Sequence, residues 1–367
     1  MIKAIGYAAH HSFSSLKPLA FERAEAGPDE VEIDILYCGV CHSDIHQCAN
    51  DWGNSVYPCM PGHEIVGRVR RVGADVTTHK AGDLVGVGCM IDSCRQCPSC
   101  REGEEQYCDG PNSWLATYNG PMTPAAKAPG GGNMYGQDNS FGGYSNVIVV
   151  KADFVLRIPD ALPIERAAPI LCAGVTTYSP LKHFGVKAGS KVGVVGLGGL
   201  GDMAVKLARA MGAEVVVFTT QPDKVADAER LGATAILEGD KAAYRAAANS
   251  FDLILSTIPE KHKVDAFVPL LRRDGTYCAV GALAEIPGYS NQQLVMKRRR
   301  LAGSLIGSIR ETQEVLDFCA EHDIAPDVQM IPIQDINEAF KQVKDEQVRF
   351  RFVIDMASLT QNIDQAA

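Results

Sequence analysis

Four cysteines in one short stretch give this chain its clearest chemical signal. They form the pattern Cys-x2-Cys-x2-Cys-x7-Cys at Cys94, Cys97, Cys100 and Cys108. Thiolates with this spacing can occupy the four corners of a tetrahedron about 2.3 Å from a Zn²⁺ ion, which makes a closed and therefore structural site. An iron–sulfur cluster, whose bacterial spacing begins in the same way but ends differently, and a pair of disulfides are the two alternatives.

A glycine-rich turn gives the second signal. It follows the apolar run Val192–Val195 and precedes a predicted helix, which is the context that the Gly-x-Gly-x-x-Gly fingerprint requires. The glycines allow the backbone to approach a pyrophosphate, and the helix N-terminus adds partial positive charge. The predicted dinucleotide-binding residues are Gly196, Leu197, Gly198, Gly199, Leu200 and Gly201.

The residues after the next predicted strand bear on which dinucleotide binds. An acidic residue about 20 positions beyond the fingerprint normally holds the 2′-hydroxyl of NAD. Here the chain has Thr219 and Thr220, followed by Lys224. A carboxylate would repel a 2′-phosphate, whereas two hydroxyls and an ammonium group can bind one, so we predict NADP(H). The alternative is that the threonines are ordinary strand residues and Lys224 is a solvated helix residue.

Length and composition limit the class of protein. A chain of 367 residues exceeds the size of one hydrophobic core, so two domains are expected. The net charge of −9 argues against a general nucleic-acid or anionic-membrane binder. We see no signal sequence and no run of about 18 apolar residues that could cross a membrane. Twelve cysteines then indicate a reducing compartment, and we expect a cytoplasmic protein.

The pattern of apolar runs changes near residue 160. Before it, short runs such as Ile65–Val72 and Val147–Val150 are broken by glycine and proline, which predicts small antiparallel sheets or a partly open barrel. After it, strands and helices alternate from Val192 to Val280, with a helix over Val264–Leu271, which predicts a doubly wound α/β domain with a parallel sheet. A strand over Arg349–Ile354 is expected to return to the first domain.

One more motif reveals a family resemblance. Gly62-His63-Glu64 opens a complete Gly-His-Glu-x2-Gly-x5-Gly-x2-Val signature, between Cys41–His46 upstream and Leu171–Gly174 downstream. With the four-cysteine loop and the glycine fingerprint in the expected order, nearly the whole chain resembles the zinc-dependent medium-chain alcohol dehydrogenase family, most closely its cinnamyl alcohol dehydrogenase-like branch. The resemblance implies a GroES-like, partly open β-barrel catalytic domain (residues 1–166 and 310–367) and a Rossmann domain (residues 167–309), with the active site in the cleft between them.

The resemblance also implies roles for individual residues. The ligands of a catalytic zinc would be Cys41, His63 and Cys172, with Glu64 as a fourth ligand during exchange. Asp44 would orient the imidazole of His63, Ser43 would bind the substrate oxygen, and His46 would end a proton relay. The implied cofactor contacts are His42, Thr176, Thr257, Val280, Ser304 and Ile306. Plainer alternatives are that Ser43 and Asp44 only cap a helix and that His42 and His46 are only exposed helix residues.

Substrate preference is less defined. Candidate residues for a pocket that suits aromatic or medium-sized apolar aldehydes are Trp52, Trp114, Tyr118 and Ile306, although single aromatic residues more often belong to a core. The branch often carries a tryptophan where this chain has Ala116, and the stretch Asp109–Phe141 is a longer loop than the branch leads us to expect. That loop is either a binding loop or an insertion without a role. A broad aldehyde reductase is therefore the safer prediction.

These observations predict an NADPH-dependent alcohol dehydrogenase with one catalytic and one structural zinc, acting mainly as an aldehyde reductase. Its partners would be small aldehydes or alcohols, with no nucleic acid and no membrane. The resemblance alone implies a homodimer, formed through Leu301–Ile306. Two alternatives stay open: an NAD-dependent polyol or secondary-alcohol dehydrogenase on the same fold, and a non-catalytic NADPH-binding zinc protein.

Overall fold

A computed structural model describes residues 1–110, 117–119, 140–281, 283–285, 288–345 and 351–360. The chain divides into two compact units, one of Met1–Cys172 with Ser308–Ala367 and one of Ala173–Gly307. The finer domain limits expected from the sequence stay predictions. Within the described ranges, every helix is too short or too polar to cross a bilayer. Trp114, Ala116 and most of the long loop 109–141 lie outside the described residues.

The strands are numbered in chain order. They are β1 (Ile2–Ala8), β2 (Lys17–Arg23), β3 (Glu30–Gly39), β4 (Ile65–Val72), β5 (Leu84–Val87), β6 (Val147–Lys151), β7 (Leu156–Arg157), β8 (Lys191–Val195), β9 (Glu214–Thr219), β10 (Thr234–Leu237), β11 (Phe251–Ser256), β12 (Leu271–Ala279), β13 (Arg300–Gly303), β14 (Val328–Pro332) and β15 (Arg351–Asp355).

The helices are numbered in the same way. They are α1 (His42–Ala49), α2 (Pro98–Glu102), α3 (Ile164–Ala167), α4 (Ala173–His183), α5 (Gly199–Ala210), α6 (Lys224–Arg230), α7 (Lys241–Ala246), α8 (Asn291–Val295), α9 (Ile309–Glu321), α10 (Ile336–Lys344) and α11 (Ala357–Thr360).

The first unit is built on a mainly antiparallel sheet. Its strand order is β14-β15-β3-β4-β5-β7, β6 also pairs with β3, and β1 and β2 form a separate antiparallel pair. Within β4 the buried Val69 lies between the exposed Arg68 and Arg70, as expected for a strand with one face on the core. β3 and β4 run antiparallel with Cys38 opposite Ile65, so the end of β3 meets the start of β4. This pairing brings the chain after β3 close to the chain before β4.

The second unit contains a six-stranded sheet in the order β10-β9-β8-β11-β12-β13, and every pairing in it is parallel. Its core is apolar and aromatic, with Phe218, Phe251 and Tyr277 almost fully buried. The strand order reverses between β8 and β11, and such a switch point is where open α/β sheets bind their ligands. The predicted parallel sheet is therefore confirmed, and it places the turns after β8 and β11 side by side.

One predicted helix takes a different form. The segment Val264–Leu271 contains two short 3-10 turns, Val264–Ala266 and Val268–Leu270, and Leu271 already begins β12. Pro269 lies inside this segment. Proline cannot donate a backbone hydrogen bond and disfavours the helical conformation of the residue before it, so the periodic apolar pattern could not form a continuous α-helix.

Candidate functional site

Four buried side chains of the first unit converge on one point. Cys41, His63, Glu64 and Cys172 each offer one donor atom, and these atoms lie within 4.8 Å of one another. His63 Nε2 is 3.3 Å from Cys172 Sγ. Two thiols and one imidazole are the donor set of a catalytic zinc site, which keeps a fourth position open for water or substrate. The residues therefore fit a zinc ion.

The local fold explains why these residues meet. Cys41 follows β3 and precedes the first turn of α1, whereas His63 comes just before β4. Because β3 and β4 pair antiparallel, both ligands lie at the same edge of the sheet. Cys172 ends the 3-10 turn Ala168–Leu171. The three ligands thus come from segments that are separate in the chain and close together in the fold.

Asp44 is the fully buried acid that organises this cluster. Its Oδ1 accepts hydrogen bonds from His63 Nδ1 (2.9 Å) and from the Gly62 backbone N–H (3.0 Å). Its Oδ2 accepts from the Cys41 backbone N–H (3.0 Å) and lies 3.3 Å from the Tyr144 hydroxyl. Because Nδ1 of His63 donates to a carboxylate, Nε2 keeps its lone pair for a metal. Asp44 does occupy a capping position in α1, but it also holds two of the proposed ligands.

Glu64 is paired with a residue that sequence analysis missed. Its Oε1 accepts a hydrogen bond from Arg351 at the start of β15; the Glu64 side chain is fully buried and that of Arg351 is 12% exposed. Burial raises the pKa of Glu64 to about 7, although the Arg351 charge opposes the rise. Glu64 Oε2 has no hydrogen-bond partner among the described residues. One carboxylate oxygen is therefore held by arginine while the other is left for a further ligand, which fits the predicted role in metal exchange. The only sequence signal was a cation at the edge of an apolar run.

The thiols of the cluster influence each other's ionisation. A hydrogen bond with Cys172 is the main cause that lowers the pKa of Cys41 well below its ordinary range, and His63 adds to the effect while burial opposes it. Thiolates, not thiols, bind zinc. The cluster therefore favours one ionised ligand before any metal arrives.

The predicted proton relay lies on helix α1. Ser43 is half-buried in its first turn, and His46 is one turn further on. His46 Nδ1 is 2.8 Å from Asp51 Oδ2, whereas His46 Nε2 is buried without a partner among the described residues. Asp51 thus fixes the imidazole and leaves the other nitrogen for a proton or a ligand hydroxyl. Asp51 was missed by sequence analysis, because no spacing rule distinguishes it from other acids near a helix end.

Two aromatic pocket candidates contact this machinery directly. The Trp52 ring packs edge-on against His46 with centroids 5.7 Å apart. The Tyr118 ring is buried 5.5 Å from the ring of His63. His42 stacks on His46 at 6.1 Å. These rings therefore help to shape the surroundings of His46 and His63.

The four-cysteine loop forms a second cluster. Donor atoms of Cys94, Cys97, Cys100 and Cys108 lie within 4.8 Å of one another, and all four cysteines are free thiols. Backbone N–H groups of Cys97 and Gly110 donate to Cys94 Sγ and Cys108 Sγ, each over 3.3 Å. Backbone hydrogen bonds, with that from Gln96 foremost, lower the pKa of Cys94 to about 6. These four cysteines form no disulfide bond, so the structure does not support the disulfide alternative. The four thiols fit one zinc ion in a closed site.

The glycine fingerprint of the second unit forms the turn between β8 and α5. Gly196 has a φ of +90°, a conformation that favours glycine, and Gly198 precedes the first residue of α5. A Cβ on Gly201 would overlap the Gly196 carbonyl oxygen, whereas a Cβ on Gly198 would enter open space. Gly201 thus permits close packing of helix on turn, and Gly198 leaves room for a ligand. Leu197, Gly199 and Leu200 complete the turn and the first turn of the helix.

Other predicted cofactor residues border this turn or lie elsewhere in the second unit. Thr257 Oγ1 donates to the Val195 carbonyl over 2.9 Å, beside the turn. Val280 N donates to the Ser256 carbonyl and Ser304 N to the Ala279 carbonyl, which fixes both segments at the ends of strands. Thr176 Oγ1 is buried without a partner among the described residues. Ile306 is buried at a φ of +37°.

The end of β9 presents the residues that bear on the 2′-position of the adenosine. Thr219 is buried, and its Oγ1 accepts from the Gln221 backbone N–H over 3.1 Å. Thr220 is exposed. Lys224 Nζ is 3.9 Å from Asp227 Oδ2, a loose ion pair that leaves donor positions on the ammonium group. A hydroxyl and an ammonium group are therefore available where an acid would select NAD.

Comparison with known proteins agrees with the interpretation of a zinc site in the first unit and a dinucleotide site in the second. Residues 27–160 match the alcohol dehydrogenase GroES-like domain, and residues 199–321 match the zinc-binding dehydrogenase domain. The chain is 50% identical to aldehyde reductase YahK of Escherichia coli (98% of this chain, 99% of that protein) and 47% identical to NADP-dependent alcohol dehydrogenase C 1 of Mycolicibacterium smegmatis (96% and 98%).

Solved structures point the same way. The fold is similar to cinnamyl alcohol dehydrogenase SbCAD4 of Sorghum bicolor, with a TM-score of 0.86 and 40% identity over 97% of this chain and 98% of that one. The same TM-score relates it to a Helicobacter pylori CAD complexed with NADP(H), at 39% identity over 97% and 99% of the two chains. The predicted GroES-like and Rossmann-like fold classes are confirmed, and this chain belongs to the zinc-dependent medium-chain alcohol dehydrogenase family.

Proposed function

We propose that this protein is an NADPH-dependent zinc alcohol dehydrogenase that works as an aldehyde reductase, by reversible hydride transfer between NADPH and aldehydes to give primary alcohols. One observation carries the proposal: Cys41, His63 and Cys172 converge as an open donor set, and a buried carboxylate fixes the imidazole tautomer that can bind metal. The relatives named as aldehyde reductase and as NADP-dependent alcohol dehydrogenase support the reaction and the cofactor.

The mechanism follows from what each side chain can do. When bound, zinc supplies a Lewis acid that stabilises charge on the substrate oxygen, and NADPH supplies the hydride. Cys41, His63 and Cys172 would hold the metal, and Asp44 holds the ring of His63. Arg351 keeps the Glu64 carboxylate beside the ligands without leaving it unpaired in a buried site.

Proton transfer is assigned to helix α1. Ser43 donates its hydroxyl proton to the oxygen of the reduced substrate, His46 returns a proton to Ser43, and solvent water returns one to His46. Asp51 accepts the hydrogen bond of His46 Nδ1, so Nε2, which has no partner among the described residues, is the atom that handles the proton. A hydroxyl and an imidazole perform this step without placing a charged acid beside the substrate.

Selection of NADPH is assigned to Thr219, Thr220 and Lys224. The alternative, an NAD-dependent polyol or secondary-alcohol dehydrogenase, would place an acid at the end of β9, and none stands at Thr219 or Thr220. A non-catalytic NADPH-binding zinc protein would have no need of Ser43 and of His46 with its oriented ring.

Initial rates with NADPH and NADH on a panel of aromatic, medium-chain and polyol-derived carbonyl compounds test all three functional hypotheses. We expect aldehydes with NADPH to be the best pair; faster turnover of polyols with NAD, or none of any compound, contradicts the proposal.

Homodimerisation and a cytoplasmic location belong to the same proposal. Strand β13 is the edge of the six-stranded sheet, so one side of its backbone is unpaired among the described strands. An unpaired edge is a template for pairing with a second copy. Nearby, Val295 and Met296 are 77% and 71% exposed. Light scattering on the purified protein should give twice the chain mass of 39.4 kDa, and a monomer would contradict the dimer.

A further inference from the structure

Tyr144 belongs to the first unit and lies just before β6. Its side chain is fully buried. Its backbone N–H donates to the Pro61 carbonyl over 3.0 Å, and its carbonyl accepts from Tyr7 N over 2.9 Å. Both the backbone and the ring are therefore fixed, and the ring lies beside the segment that leads to His63.

The hydrogen bonds of Asp44 show what the Tyr144 hydroxyl does. A carboxylate can accept about four hydrogen bonds, two at each oxygen. Three come from the ligand segments themselves, namely from Gly62 N, His63 Nδ1 and Cys41 N. The fourth position, on Oδ2, faces the Tyr144 hydroxyl at 3.3 Å. Tyr144 thus donates a hydrogen bond to Asp44 from outside the segments that carry the zinc ligands Cys41 and His63.

Gly62 shows that the ring is built into this arrangement. Its φ is +104°, and a Cβ there would lie 2.7 Å from Cδ1 of Tyr144 and 2.8 Å from the backbone N of Gly143. Any other residue at position 62 would push the ring away or twist the backbone that carries His63. The glycine before the histidine therefore leaves the space that Tyr144 fills.

We propose that Tyr144 is a positioning residue of the open zinc site, whose hydroxyl completes the hydrogen bonding of Asp44 and so holds His63 and Cys41 in their metal-binding arrangement. This inference rests on the proposed zinc binding by Cys41, His63 and Cys172. Loss of the hydroxyl leaves the buried Asp44 side chain short of one donor, which weakens its hold on the ligands.

The expected size of the effect is modest. Replacing a residue that directly supports a metal ligand typically weakens metal binding about 10-fold to 100-fold. Tyr144 acts one contact further out and at a long hydrogen-bond distance. We therefore expect Tyr144→Phe to release zinc from the open site about fivefold faster than the unaltered protein.

The test measures zinc release from the holoenzyme into an excess of a chromophoric chelator. The four-cysteine cluster serves as an internal control, and cobalt substitution assigns the two phases, since two thiolates with an imidazole and four thiolates absorb differently. The matched variant is Tyr277→Phe, which removes a buried hydroxyl 2.6 Å from His262 Nε2 in the other unit. We expect faster release in Tyr144→Phe, from the open site only, with a melting temperature close to that of Tyr277→Phe.

Two results would overturn the role of Tyr144, and a third would overturn the proposed function. Release from the open site within twofold of the unaltered protein overturns the inference. Equal acceleration at both zinc sites together with a lower melting temperature also overturns it, because the hydroxyl would then serve only general stability. If the unaltered protein carries zinc in the four-cysteine cluster alone, the proposed function itself fails, which is a different outcome from failure of Tyr144.

Discussion

Neutralising Asp44 is the perturbation that the structure describes most completely. Asp44→Asn keeps the size of the side chain but replaces one acceptor oxygen with an NH2 group. Oδ1 faces two donors, Gly62 N–H and His63 Nδ1, and Oδ2 faces Cys41 N–H and the Tyr144 hydroxyl. The amide nitrogen therefore meets at least one backbone donor whichever way it turns. The hydroxyl of Tyr144 can rotate to accept, whereas His63 Nδ1 can accept only in the tautomer that protonates Nε2, which cannot then bind metal.

The magnitude follows from these contacts. A hydrogen bond to a charged group contributes about 1.5–3 kcal/mol, and a buried donor without a partner adds to the cost. Losing one such bond beside His63 corresponds to a loss of zinc affinity of about 10-fold to 100-fold, since 1.4 kcal/mol is a factor of ten. Turnover should fall with zinc occupancy and recover in part when zinc is added in excess.

Competition with a chelator of known affinity measures this effect. The matched control is Asp34→Asn, which removes the same charge from a side chain 43% exposed on β3 and paired with Arg70. The control should keep its zinc, because exposed ion pairs contribute little. Unchanged zinc affinity and turnover in Asp44→Asn would refute the reasoning that this carboxylate organises the ligands.

Three further changes test other parts of the mechanism. Ser43→Ala should lower kcat by about 100-fold through loss of proton transfer, with zinc content unchanged by metal analysis; full turnover would remove Ser43 from the relay. Thr219→Asp can still accept a hydrogen bond from Gln221 N–H, but it adds a negative charge. The KM for NADPH should therefore rise at least about tenfold, while the KM for NADH does not rise. Thr219→Asn is the uncharged control, and an unchanged KM for NADPH in Thr219→Asp would mean that Thr219 is only a strand residue. Removing zinc from the four-cysteine cluster should lower the melting temperature by about 5 °C before it lowers turnover; loss of turnover from a protein that is still folded and retains the other zinc would contradict a purely structural role.

Local patterns predicted much of this molecule. The four-cysteine loop and the glycine turn could be recognised because each is a short continuous segment whose spacing alone sets its geometry. The parallel sheet of the second unit followed from alternating strands and helices. Cys41, His63 and Cys172 required the family resemblance, since no spacing rule joins residues so far apart in the chain.

The supporting residues could not be predicted in this way. Arg351 pairs with Glu64 across almost the whole length of the chain, and Tyr144 reaches Asp44 through the packing of separate segments. Burial of a charge in a partnered site leaves no periodic trace in the sequence. The prediction of a helix over Val264–Leu271 was wrong for a local reason, because it gave more weight to the apolar periodicity of the segment than to Pro269.

The central claim is that Cys41, His63 and Cys172 hold a zinc ion on which the reaction depends. Metal analysis and aldehyde reduction with NADPH, measured together on Cys172→Ser, test it most directly. Cys278→Ser is the matched control, because Cys278 is a buried free thiol of the second unit that belongs to neither cluster. We expect about two zinc ions per chain in the control, about one in Cys172→Ser, and turnover in the control alone. A folded Cys172→Ser protein that keeps both zinc ions, or that reduces aldehydes at the control's rate, would contradict the account.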